Sequence, residues 1–287
     1  MEFFARRAVI NVVAPILILL LVGAPAAAQN PKAEKSLVEN LALCNGSDRA
    51  SPEPQINGCT AVIESVGSRA PAAAMAYNNR GGAYIAKGDY DRAIQDFDQS
   101  IKLNPTSAKP FNNRGLAYLK KGEYDLAIKN LEEAIRLDPN YAKAFINRAE
   151  IYERKNAYDR AVRDYDQAIR LEPNLKAGRK GRCWTRAILG ELQAALEDCN
   201  KALQSEPTDA ATLDSRGLTY MKMGLFDRAI DDYNSAVRLE PKLASALYGR
   251  GFAKRKNGDK VGGDADMSAA KKIHAKIGDD FVRYGVQ

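Results

Sequence analysis

The chain has 287 residues, a net charge of +7, four cysteines and a single histidine, with 45% hydrophobic and 28% charged residues. That balance is globular and excludes a disordered polyelectrolyte. One histidine removes most histidine-based catalysis and zinc ligation.

In chain order, Arg6 and Arg7 precede an apolar run from Ala8 to Val22, and "APAAAQN" follows. This reads as a secretory leader, 1–28, cut after Ala28. The alternative, a membrane anchor, needs roughly 20 apolar residues and finds about 15. No stable membrane anchor is expected after leader removal, and the absence of a cysteine just after the run argues against a lipid anchor. An exported chain rarely meets nucleic acid, so the mild basicity points to acidic proteins or anionic envelope surfaces.

Segment 29–73 ends like the units after it, with Pro71, but carries the loop "NGSDRASPEP" and reads as a degenerate N-terminal cap. From there proline recurs every 34 residues, at Pro105, Pro139, Pro173, Pro207 and Pro241. Such a period means stacked supersecondary units. Each holds two runs of helical periodicity, in the first unit Ala74–Lys87 and Tyr90–Leu103, joined at "KGDY". Gly88 is placed for a left-handed C-cap and Asp89 for an N-terminal acceptor. Five units fill 74–243. The stretch 244–287 reads as a degenerate sixth unit, with Gly262-Gly263 inside a helix, and "ADMSAAKKIHAKIGDDFVRYG" as one closing helix.

With Ala74 as position 1, the first unit has Tyr77, Gly81, Tyr84, Ala93, Phe97 and Pro105 at positions 4, 8, 11, 20, 24 and 32. The third has Phe145, Ala149, Tyr152, Ala161, Tyr165, Ala168 and Pro173. This pattern resembles the tetratricopeptide repeat. The resemblance implies an all-α, right-handed superhelical solenoid of antiparallel helix pairs, about six repeats long, whose first helices line a concave groove. The aromatic and small signature residues are packing.

Position 7, normally leucine, is arginine in every unit, and position 23 is acidic or amide: Arg80 with Asp96, Arg114 with Asn130, Arg148 with Asp164, Arg182 with Asp198, Arg216 with Asp232. A recurrent half-buried arginine needs recurrent acceptors, and the two positions lie at one height in an antiparallel hairpin. The expectation is a structural arginine–aspartate ladder, within or between units. Position 6 is Asn79, Asn113 and Asn147, then Gly181, Ser215 and Gly249. By resemblance it faces the groove, and an asparagine ladder there would hold the main chain of an extended peptide; the alternative is ordinary surface asparagine. Over the other groove positions Lys109, Lys120, Lys143, Arg154, Lys180, Lys222, Arg255 and Lys256 outnumber Glu150, Glu153 and Asp214. That surplus favours an acidic peptide or a free carboxylate terminus. Glu150 and Glu153, spaced i, i+3, read as a solvated face.

The fourth unit departs from the pattern. Trp184 falls at groove position 9, flanked by Arg179, Lys180, Arg182 and Arg186, which either form an anion-binding spot or support stacking on the next unit. Cys183 and Cys199 occupy facing positions 8 and 24, so a disulfide competes with two buried thiols, and Cys44 with Cys59 would staple the N-terminal cap. No cofactor or metal is expected, and no catalytic constellation can be assembled. The function expected is a non-catalytic module in the periplasm that binds an acidic protein segment, with Asn79, Asn113, Asn147, Lys109, Lys143, Lys180 and Trp184 as contacts. The alternative is a scaffold subunit of an envelope assembly, joined through its convex face or C-terminal helix.

Overall fold

The computed structural model describes residues 31–46 and 51–286; the leader read over 1–28 lies outside them. Among the described residues there are fifteen helices and no strand. They fall into two compact units, one ending at Pro105 and one running from Thr106.

The first unit holds α1 (Pro31–Cys44), α2 (Pro52–Val66), α3 (Ala73–Lys87) and α4 (Tyr90–Leu103). The loop read as "NGSDRASPEP" ends early, because Pro52 opens α2 at a first-turn position that needs no N–H. A disulfide between Cys44 and Cys59, with a Cα separation of 4.4 Å, ties α1 to α2. α3 stops at Gly88, whose φ of 80° is left-handed. Asp89 then starts α4 by accepting from the Arg92 amide at 3.2 Å.

The second unit repeats the same hairpin: α5 (Ala108–Lys121) with α6 (Tyr124–Leu137), α7 (Ala142–Arg154) with α8 (Tyr158–Leu171), and α9 (Lys176–Leu189) with α10 (Leu192–Ser205). α11 (Ala210–Lys222) pairs with α12 (Phe226–Leu239) and α13 (Ala244–Lys256) with α14 (Lys260–Ile273); α15 (Ile277–Arg283) closes the chain. Asn156, at a φ of 56°, takes the turn between α7 and α8 where other pairs have glycine. Asparagine tolerates that region better than other side chains. The second helices α6, α8, α10 and α12 each bury one stripe spaced i, i+4, i+7, such as Ala161, Tyr165 and Ala168 on α8. The middle residue packs on the small residue at position 8 of its partner: a Cβ on Gly217 would lie 2.8 Å from the Tyr233 ring. Burying the Tyr233 ring contributes roughly 1.5–3 kcal/mol, offset in part because its buried hydroxyl has no hydrogen-bond partner among the described residues. In the fourth pair this small–large contact is replaced by the Cys183–Cys199 disulfide, with a Cα separation of 5.2 Å.

Within the second unit the first helices α5, α7, α9, α11 and α13 touch one another in succession, and the second helices α6, α8, α10 and α12 pack against first helices on either side. The first helices are therefore the inner row.

The closing run differs from its reading as one helix. α14 ends at Ile273 and the chain turns at His274, where the other units turn around a proline. Ile277, Phe281 and Val286 are buried, and a straight continuation of α14 could not bury all three. Gly262 and Gly263 do lie inside α14. A Cβ on Gly263 would meet the Gly251 carbonyl at 2.6 Å, so two glycines face each other where α13 and α14 approach most closely.

Candidate functional site

The arginines of position 7 are two-way ties. Arg148 grips Asp164 with Nε and Nη2 at 2.8 Å each, and Arg80, Arg182, Arg216 and Arg250 hold Asp96, Asp198, Asp232 and Asp266 in the same two-pronged manner. All these pairs are within one helix hairpin. The remaining Nη1 reaches back to the preceding second helix: from Arg182 to Asp166 at 2.6 Å, from Arg216 to Asn200 at 2.8 Å and from Arg250 to Asn234 at 3.1 Å. Position 25 therefore matters as much as position 23, a partner that pairing by hairpin height alone does not reveal. The paired carboxylates raise the pKa of Arg80, Arg148 and Arg216 above the ordinary guanidinium value.

The asparagines of position 6 are engaged with other asparagines. In the first unit Asn79 donates to Asn45 Oδ1 at 3.1 Å and accepts from Asn78. In the second, Asn147 donates to Asn112 Oδ1 at 2.9 Å, and Asn112 donates to Asn113 Oδ1 at 3.1 Å. The side chain of Asn112, buried on α5, thus joins α7 to its own neighbour Asn113. Asn147 Oδ1 accepts from no described residue, which leaves an acceptor on the inner face.

Lys109 and Lys143 are exposed on the first turns of α5 and α7. Lys180 is committed to Glu206 and, at 2.8 Å, to Asp209. Arg154 holds Glu150 at 3.2 Å. The arginines beside Trp184 are also matched: Arg182 and Arg186 to Asp198, and Arg179 to the Pro173 carbonyl. The cluster read as a candidate anion spot is spent on internal acceptors.

Two features were not anticipated. The first is the course of the chain after His274, which crosses the inner row. Phe281 packs on Tyr248 of α13 with centroids 4.8 Å apart, and Tyr284 stands edge-on to Trp184 of α9 at 5.7 Å. Lys222 of α11 donates to the carbonyl oxygens of Ala187, Ile188 and Tyr284 at 2.8–2.9 Å. The inner row thus grips one main-chain carbonyl of the closing segment. The second feature is Glu153. It is not a solvated residue: its Oε1 accepts from Tyr165 Oη at 3.0 Å and lies 2.5 Å from Thr185 Oγ1. Burial pushes its carboxyl up to about 7, against the pull of those two hydroxyls. The hydrogen bonds fit a proton there. Thr185 has one proton for two acceptors, Glu153 and the Gly181 carbonyl, and a protonated Glu153 donates to Thr185 instead. On α11, Asp214 is likewise pushed up to about 7 by burial while accepting from Ser245 at 2.6 Å. A cavity of about 670 Å3 lies between α7, α8, α9 and the closing segment, lined by Glu153, Trp184, Tyr158 and Tyr284 among others. Sequence signals for it were present only in part: Trp184 was visible, but Glu153 depends on a tyrosine twelve residues away and a threonine on another helix.

Helix hairpins repeated at a fixed period, with first helices forming an inner row against which the closing helix packs, define a helical-repeat interaction scaffold. Family models described as TPR repeat match residues 81–122, 115–156 and 217–258, and one described as tetratricopeptide repeat matches 142–175. The chain belongs to the tetratricopeptide repeat family, whose members are protein-interaction modules. No match was found among the curated proteins. Among solved structures, a tetratricopeptide repeat protein from Parabacteroides merdae is similar at 17% identity over 87% of this chain and 99% of that one, with a TM-score of 0.63. PilF of Pseudomonas aeruginosa is similar at 16% identity over 75% and 98%, with a TM-score of 0.63. YrrB, described as having an unusual peptide-binding site, is similar at 19% identity over 66% and 95%, with a TM-score of 0.51. At these identities the likeness is one of fold.

Proposed function

We propose that the inner face of the second unit binds an extended segment of a protein partner, without catalysis. The observation that carries this reading is the closing segment: Lys222 holds the Tyr284 carbonyl and Trp184 packs on its ring, so the face carries main-chain and aromatic contacts suited to a polypeptide. Asn147, with its Oδ1 open, supports main-chain contact beside it, and Asn113 lies in the same row. Asn79 takes the corresponding role on the first unit. Exposed Lys109 and Lys143 favour acidic residues in the partner, whereas Lys180 acts through its carboxylate partners. YrrB's peptide-binding site is a precedent for the fold.

Burial of Ile277 and Phe281 against the inner row speaks against the scaffold reading in which the C-terminal helix docks elsewhere. The two disulfides and the leader read over 1–28 favour an oxidising, periplasmic compartment.

The test is peptide selection on the immobilised protein, followed by amide hydrogen exchange with a selected peptide bound. Protection on α7, α9 and α11, lost with Asn147→Ala and Lys222→Met, is the expected result. Protection on α8, α10 and α12 instead would defeat the reading.

A further inference from the structure

Trp184 is the only tryptophan of the chain, and tyrosine rings stand on both sides of it. Tyr158 of α8 is edge-on at 5.9 Å and Tyr284 edge-on at 5.7 Å, with interplanar angles of 68° and 80°. The three rings and Glu153 line one cavity of about 670 Å3, ample for a long side chain. The other charges that line it are matched. On α7 Glu150 is held by Arg154; on α15 Asp280 is bound by Arg283 and His274; on α9 Lys180 is bound by Glu206 and Asp209. Glu153 is the cavity's carboxyl without an ion pair among the described residues, and its hydrogen bonds come from the neutral hydroxyls of Tyr165 and Thr185.

We propose that this cavity receives the cationic end of a basic side chain, an alkylammonium or guanidinium, with Glu153 as counter-ion and Trp184, Tyr158 and Tyr284 as its aromatic wall. The source of that side chain, a protein segment on the inner face, rests on the function proposed above. Aromatic rings attract cations most strongly where water is excluded. A buried carboxylate is costly alone and far less so beside a cation. The segment would then be acidic along Lys109 and Lys143, with one basic anchor at Trp184.

The geometry also sets a proton coupling. With the cavity empty, Glu153 holds a proton, which satisfies Thr185 and Tyr165 together. An entering cation expels it, and both hydroxyls then donate to the carboxylate. Glu150 opposes that ionisation and Arg154 favours it. Lys180, Arg283 and Asp280 are held in their own ion pairs, and burial raises Tyr158, Tyr165 and Tyr284 so that they stay un-ionised. Affinity therefore falls about tenfold per pH unit below the Glu153 titration and levels off above it.

Trp184 fluorescence reads occupancy directly. The probes are N-acetyl-lysine methylamide and N-acetyl-arginine methylamide, with the norleucine and citrulline analogues as neutral controls, titrated against the full chain from pH 5.5 to 8.5. The expected result is saturable quenching by the cationic probes alone, tightening with pH. Glu153→Gln keeps an acceptor for Tyr165 and Thr185 and weakens binding tenfold or more, with a flat pH profile. Tyr158→Leu leaves the Glu153 hydrogen bonds intact and weakens binding several-fold; it decides the matter if Glu153→Gln loses its helical circular dichroism. Equal quenching by the neutral analogues, or unchanged affinity in a folded variant, overturns the proposal. Because the probes carry no extended main chain, cation binding without peptide selection on α7–α11 would remove the inner-face reading and leave the pocket. Peptide selection without cation binding would do the reverse.

Discussion

Tyr165 and Gly181 interlock: a Cβ on Gly181 would lie 2.2 Å from Cζ of the Tyr165 ring. Gly249 meets Tyr233 the same way at 2.4 Å. Position 24 of one repeat therefore sets the size allowed at position 6 of the next. Leu131 at position 24 precedes Asn147, and Cys199 precedes Ser215, whereas each tyrosine in the second unit precedes a glycine. The glycine gap also lets the Tyr165 hydroxyl through to Glu153. Gly181→Ala should destabilise the chain by about 2 kcal/mol, the range for forcing atoms into a packed site. Tyr165→Leu combined with Gly181→Ala should cost less than the two single changes added together, because the smaller side chain removes the clash. Urea melts of the three variants provide the comparison, and strict additivity would show that the two residues do not limit each other.

The arginine ladder has one rung of different chemistry. Arg148 faces an aspartate whose side chain is 9% exposed, so Arg148→Leu strands a carboxylate and should cost about 3–5 kcal/mol. Arg114 donates to Asn130 Oδ1 at 2.7 Å, and Asn130 also donates to the Leu126 carbonyl, so its neutral amide loses one hydrogen bond when Arg114 becomes leucine. That should cost about 1 kcal/mol. Equal shifts in melting temperature for the two variants would refute this division of charge.

Stability should fall as pH rises from about 4.5 to 7. Glu153 and Asp214 are both raised to about 7, while in the unfolded chain they ionise near 4.5 and 3.8. Between those limits the folded state holds protons that the unfolded state has released, so the slope is negative. The contribution is fully present below the unfolded values and gone above about pH 7. Asp209 and Asp266 are lowered below their ordinary value, so their opposite effect lies at more acidic pH. Both raised groups are partly solvated, which limits the combined loss to on the order of 3 kcal/mol. Urea midpoints at pH 5.5 and 7.5 measure it, and Glu153→Gln with Asp214→Asn should flatten the difference.

The hairpins could be read from the sequence because their signals are local. Gly88 and Asp89 end and start helices by their own backbone chemistry, and Pro105, Pro139 and Pro173 mark the period. The site was less legible because its decisive contacts span repeats. Asn112 looks like a fading copy of Asn78, yet it links Asn147 to Asn113. Glu153 has the spacing of a surface pair, and only Tyr165 and Thr185 make it a half-buried acid. The tail reads as helix through His274, since no glycine or proline stands between Gly263 and Gly278. What breaks it is the inner face that receives Phe281.

That tail is held by a narrow margin. Ile277, Phe281 and Val286 each contribute roughly 1.5–3 kcal/mol on burial. Ordering ten residues costs on the order of 10 kcal/mol of backbone entropy. The two nearly cancel, and the bond from Lys222 to the Tyr284 carbonyl with the Trp184–Tyr284 contact tips the balance. Phe281→Ala removes the largest apolar contact and should release the segment while leaving the helix pairs folded. Trp184 emission would then move to longer wavelength as Tyr284 leaves its ring, with melting lowered by only a few degrees. Amide exchange at Phe281–Val286 should become as fast as in an unstructured chain, while α11 stays protected. Unchanged Trp184 emission in this variant would mean that Phe281 does not hold the segment on the inner face.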